Sequence, residues 1–65
     1  MGNNMSLETQ AKIEWYEHQY EVTKEWVTEM SKEQWFWKQE TAEEQLIGKL
    51  IYMTQLRNKI NGMKG

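Results

Sequence analysis

Along the first half of the chain, apolar residues recur at alternating steps of three and four. At the 100° per residue of an α-helix, Ile13, Tyr16, Tyr20, Val27 and Met30 fall within roughly 100° of arc. Trp15, Val22 and Trp26 form a second stripe beside the first. The two stripes together cover roughly 200°, whereas a helix packed on one neighbour needs little more than 100°. Helix one therefore carries more apolar face than a single partner helix covers. Ser6 reads as its N-cap, with Glu8 in the first turn to favour the helix dipole.

The next signal is Met30-Ser31-Lys32-Glu33-Gln34-Trp35. Its S-x-x-Q core matches a capping box, and Met30 and Trp35 occupy the positions of the accompanying hydrophobic staple. This predicts a tight break at Met30–Ser31 and a second helix from Lys32. With no Gly or Pro at the break, one continuous helix of roughly 80 Å is the competing arrangement. Thr41-Ala42-Glu43-Glu44 is a second S/T-x-x-E match, at which helix two is able to kink.

Helix two carries Ala42, Leu46, Met53, Leu56 and Ile60 at coiled-coil spacing, with Lys49 interrupting and Leu50 widening the stripe. In a continuous helix, Phe36, Ile47 and Ile51 lie on a separate face. Asn61-Gly62 reads as the C-cap. The chain is thus predicted to be all-α, a single two-helix hairpin over 6–61. Helix one spans about 7–29 and helix two about 32–60, with frayed ends at 1–5 and 62–65. The surplus apolar face predicts that two hairpins pair into a homodimeric four-helix bundle.

Composition strengthens the need for a partner. The chain has 65 residues, no Cys, no Pro and one His. A chain this small is marginal alone unless a disulfide, a metal or association supplements its core. Absent cysteine removes the disulfide and the thiolate metal site, so association remains, with itself and with a protein partner. The longest apolar run is Trp35-Phe36-Trp37, far short of a membrane span. No signal-peptide pattern is present, and a cytoplasmic protein without membrane attachment is expected.

Charge is segregated. Residues 6–30 hold six Glu against two Lys, a net −4, while residues 45–65 hold Lys49, Arg57, Lys59 and Lys64 with no acid. Glu14, Glu17, Glu21 and Glu25 share one face of helix one, either as a solvated row or as a docking surface for a basic partner. Mimicry of nucleic-acid phosphates is a further use of such a row. His18 lies one turn from Glu14 and Glu21, but the residue three before it is Trp15, so the Glu-x-x-His metal signature fails. Ser6 and Ser31 are explained as caps. No nucleophile with a positioned base emerges, and neither metal, cofactor nor catalysis is expected.

Seven of the eight aromatic residues lie between Trp15 and Trp37. Trp and Tyr are enriched at interface hot spots, so Trp15, Trp26, Trp35 and Trp37 are candidate anchors for a partner, with the Glu row orienting it. Stacking on single-stranded nucleic acid needs basic residues around the rings, and helix one is acidic. A small structural or regulatory subunit, phage-encoded for example, that folds within a larger assembly fits the same surplus of aromatics.

Ser6-Leu7-Glu8, Lys12, Tyr16-Glu17 and Gln19, followed by Met30-Ser31-Lys32-Glu33-Gln34, resemble the opening and turn of the NblA family. Tyr52-Met53 and Arg57 partly echo that family's second helix. About seven residues more separate the two matches here than in the family. The resemblance implies a homodimeric four-helix bundle and an adaptor that links phycobiliproteins to a Clp-type chaperone–protease. It also implies a phycobiliprotein contact toward the end of helix two, at Leu56 and Lys59.

Overall fold

The computed structural model describes residues 6–64. The stretch expected to fray at 1–5, and Gly65, lie outside the described residues. Three helices follow one another: α1 (Leu7–Met30), a single turn α2 (Gln34–Trp37), and α3 (Ala42–Lys64). Ser6 caps α1 as its sequence position suggests. Its backbone is extended, and its Oγ accepts from the Thr9 N–H at 3.1 Å.

α1 stops without Gly or Pro because its terminal carbonyls are satisfied locally. A helix end leaves four carbonyls without intrahelical partners. Here Thr28 O accepts from Ser31 Oγ at 2.9 Å, Glu29 O from Lys32 N at 3.2 Å, and Met30 O from Glu33 N at 3.0 Å, while Val27 O takes the last regular bond from Ser31 N. Ser31 is therefore the C-cap of α1, in αR conformation, and not the N-cap expected from the capping box, which requires extended backbone. The extended residue is Glu33, which precedes α2 and makes no side-chain cap bond.

Helix two also departs from the continuous 32–60 expectation. One turn of helix is followed by turns at 38–41 before α3 begins. The reason is the aim of Phe36. In an unbroken helix, 100° per residue would turn it well away from the Ala42/Leu46/Leu56 stripe. The break re-aims Phe36 inward, where it is 1% exposed, the most deeply buried large side chain of the described residues. Gln45 ties the restart together: its N–H donates to Thr41 O at 2.9 Å, and its Nε2 lies 3.0 Å from both Thr41 Oγ1 and Gln39 Oε1. The Thr41 match thus marks a full break and a new helix.

At the other end, α3 runs through Asn61-Gly62 to Lys64. The expected cap fails because a Gly C-cap needs positive φ, and no described residue has it. Instead the last turn is tied down: Met63 is half-buried, and Lys64 Nζ lies 3.1 Å from Glu17 Oε2.

α1 and α3 are antiparallel. Lys49 Nζ sits 5.3 Å from the Trp26 ring centre and Lys59 Nζ 5.4 Å from that of Tyr16, ten residues on along α3 and ten back along α1. The interface uses the two 3–4 stripes. Ile13 and Thr23 of α1 and Ala42 and Leu56 of α3 are buried along the seam, flanked by half-buried Tyr16, Tyr20, Val27, Leu46, Met53 and Ile60. The result is a rod of 51 × 15 × 15 Å with a radius of gyration of 15.3 Å. A compact domain of this length would have roughly 11 Å.

Candidate functional site

The aromatic cluster divides at the turn. Phe36 is the hub, with Trp26, Trp35 and Trp37 packed edge-on at ring-centre distances of 5.6, 6.2 and 5.8 Å. Edge-to-face pairing suits the ring quadrupoles. Trp37 is also held in place: its Nε1–H donates to Ser31 O at 2.9 Å. Yet Trp35 and Trp37 remain 54% and 46% exposed. The turn thus presents two indoles beside a buried phenyl ring, with Trp37 held by its hydrogen bond. A pre-organised aromatic loses little side-chain entropy on binding.

The remaining surface falls on two flanks of the hairpin. On one, Gln19, Val22, Thr23 and Trp26 of α1 face Glu44, Gln45, Gly48, Lys49 and Tyr52 of α3 across an open groove of about 570 Å³. By helical period, Trp15 lies on the same flank of α1 as Val22 and Trp26. Trp15 is exposed and packs edge-on against Tyr16 at 5.5 Å. Trp26 is half-buried, enclosed by Phe36 and the Lys49 ammonium, so it supports the fold as well as lining the groove. Gly48 lies open in the groove; a Cβ built there meets nothing within 4 Å.

On the opposite flank, Glu17, Tyr20 and Glu21 face Arg57 and Ile60 across a second depression of about 500 Å³. Glu14, Glu17, Glu21 and Glu25 are all exposed, and helical period sets them on this side of α1. Of the four, Glu17 is drawn into the ion pair with Lys64. Both partners are about half exposed, so the pair contributes little stability. Next to this flank, α3 carries Ile47, Leu50 and Ile51, each at least half exposed, around Thr54 and Gln55. Phe36 does not belong to that face, having turned into the core.

Leu56 and Lys59, carried over from the family resemblance, differ in access. Leu56 is 3% exposed inside the helix–helix interface, where it supports the fold and offers nothing to a partner. Lys59 is exposed, above the Tyr16 ring. His18 is exposed as well, and among the described residues no three His, Cys, Asp or Glu side chains come together to hold a metal ion. No helix among the described residues is long and apolar enough to cross a membrane.

Sequence reasoning missed two residues. Thr23 is buried; its place in the 3–4 pattern between Tyr20 and Val27 was the available signal. Gln45, which clasps the start of α3, carries no such signal, because its role depends on where the chain breaks.

The geometry defines an all-helical hairpin whose described residues present aromatic, acidic and aliphatic surfaces. No known protein family, curated protein or solved structure matches this chain.

Proposed function

We propose that this chain is a small, non-enzymatic interaction protein that works as a homodimer. In this reading two hairpins pair into a four-helix bundle, and the bundle grips a protein partner through the Trp35/Trp37 end and the Glu14–Glu25 row. The observation that carries it is the amount of large apolar side chain left uncovered. Trp15, Val22, Trp35, Trp37, Ile47, Leu50 and Ile51 are each 46–55% exposed.

The division of labour follows from chemistry. Rigid indoles at the turn supply area and anchoring, while the acidic row steers a basic surface and sets orientation. An adaptor of the NblA kind, delivering phycobilisome proteins to a Clp-type protease, is the concrete form that the resemblance suggests. Lys59 is then the exposed residue available for the phycobiliprotein contact. Light scattering at micromolar concentration tests the oligomer: a dimer is expected, and a folded monomer overturns the reading. Binding to purified phycobiliprotein tests the adaptor form. Retained affinity in Lys59→Glu would remove Lys59 from that contact, and no binding at all would remove the NblA-like form.

A second reading, a subunit that folds only within a larger assembly, draws on the thin core. Only four hydrophobic side chains among the described residues are buried. A cooperative helical melt of the isolated chain by circular dichroism would dispose of it.

A further inference from the structure

We infer that the second copy docks in the groove beside Gly48, with α1 of each hairpin lying over α3 of the other. This rests on the homodimer reading above and adds its face, its partner helices and its register. The choice of face follows from what each flank offers. The flank that carries Glu17 and Glu21 on α1 carries Arg57 on α3, so a neighbour docked there would strip water from charges on both helices. The groove is lined by Gln19, Val22, Thr23 and Trp26 of α1 and by Gln45, Gly48 and Tyr52 of α3, with one acid and one base, Glu44 and Lys49, of opposite sign; Trp15 follows on the same flank of α1 by helical period. It is the one flank on which both helices present mainly uncharged groups.

Two arrangements satisfy a two-fold axis on that face. If the axis crosses the helices, α1 lies on its own copy and α3 on its own copy. If the axis runs lengthwise along the groove, α1 lies over the second copy's α3. Size decides for the second. The α1 flank is bulky, whereas α3 is notched at Gly48, where space is open for at least 4 Å around a Cβ. Setting α1 on α1 would oppose indole to indole and leave notch facing notch. Setting α1 on α3 puts bulk into the notch, twice, as an isologous interface requires.

Charge points the same way. α1 holds six Glu against Lys12 and Lys24, a net −4. α3 holds Lys49, Arg57, Lys59 and Lys64 against Glu43 and Glu44, a net +2. In the lengthwise arrangement every acidic helix neighbours two basic ones, its own and the second copy's, and the two α1 helices sit diagonally. In the crosswise arrangement acid faces acid.

The register follows from height along the rod. Val22, Thr23 and Trp26 line the same groove as Gly48 and Gln45, so they stand at about the same level. A lengthwise axis exchanges left and right but keeps level. Val22 and Trp26 of one copy therefore come over Gly48 of the other. Trp15 comes near the level of the second copy's Lys59, since Lys59 overlies the neighbouring Tyr16 within one hairpin.

The chain has no native cysteine, so single-cysteine variants report contacts between copies without interference. Val22→Cys protein mixed with Gly48→Cys protein should give a disulfide-linked heterodimer under mild oxidation, with little self-linking of either. Self-linking of Val22→Cys in place of the mixed product would establish α1 on α1, which overturns the docking and leaves the homodimer standing. A folded monomer by light scattering overturns both. Gly48→Trp provides an independent measurement. Because a Cβ there meets nothing within 4 Å and the groove is open to solvent, helicity should be retained while the dimer dissociation constant rises roughly tenfold or more. Ile47→Gln, off the groove, should leave it unchanged. An unaltered dissociation constant in Gly48→Trp would overturn the inference whatever the cross-links show.

Discussion

At the residue scale, burial separates aromatics that composition alone groups together. Phe36 is 1% exposed and touches three tryptophans. Truncation to Ala should cost about 3–5 kcal/mol, the range for a buried Phe, and much of a small domain's stability. Trp35→Ala should cost under about 1 kcal/mol, because the ring is half in solvent already. Urea denaturation of the two variants checks the contrast; equal losses would mean that Trp35 shares the core. Trp37→Phe keeps ring packing and removes the Nε1–Ser31 O bond, at a cost of about 0.5–1.5 kcal/mol. Partner binding should respond inversely: Trp35 and Trp37 matter for affinity, Phe36 for folding.

At the element scale, three helix ends are decided by hydrogen bonding more than by breakers. Ser31 closes α1 because its hydroxyl and the two N–H groups that follow reach the terminal carbonyls. Ser31→Ala leaves Thr28 O without that donor and should lower the thermal midpoint modestly, by the equivalent of about 0.5–1 kcal/mol. Gly62 is helical with open space around it. Gly62→Ala should therefore raise the midpoint by the equivalent of up to about 1 kcal/mol, the difference in helix propensity. A fall in midpoint would indicate that Gly62 is needed as a cap after all.

Much of this scale was legible beforehand. Ile13, Tyr16, Tyr20, Val27 and Met30 on α1, and Ala42, Leu46, Met53, Leu56 and Ile60 on α3, are buried or half-buried as their spacing demands. Ser6 caps as expected because an N-cap is a matter of a few adjacent residues. Ser31 and Phe36 were not readable in the same way. A Ser-x-x-Gln pattern fits either side of a break, and the aim of Phe36 depends on where the backbone turns. The site residues split on the same line. The exposure of Glu14, Glu21 and Glu25 follows from helical period, whereas the burial of Leu56 and the shared role of Trp26 follow from what packs against them.

At the scale of the whole molecule, the rod shape governs behaviour. A 15 Å-wide pair of helices has almost no interior beyond its seam, so most of each helix faces outward. If the uncovered groove is covered by a second copy, the thermal midpoint must rise with protein concentration, by mass action. A tenfold dilution series followed by circular dichroism checks this; a midpoint independent of concentration would argue for a self-sufficient hairpin. The exposed Glu17–Lys64 pair should make little difference to the single hairpin, with Lys64→Ala costing under about 1 kcal/mol.

The sequence by itself determined the helical period, the seam on each long helix and the acidic row. These depend on the identity of residues three and four apart, a relation that survives any larger arrangement. Only the tertiary structure decided which carbonyls Ser31 and its neighbours satisfy, that Phe36 enters the core while Trp35 and Trp37 stay outside, and that Gly48 opens a notch beside Trp26. Those outcomes depend on where a chain without Gly or Pro at its breaks chooses to turn. That choice is set by the packing of one aromatic ring between two helices, which no local pattern encodes.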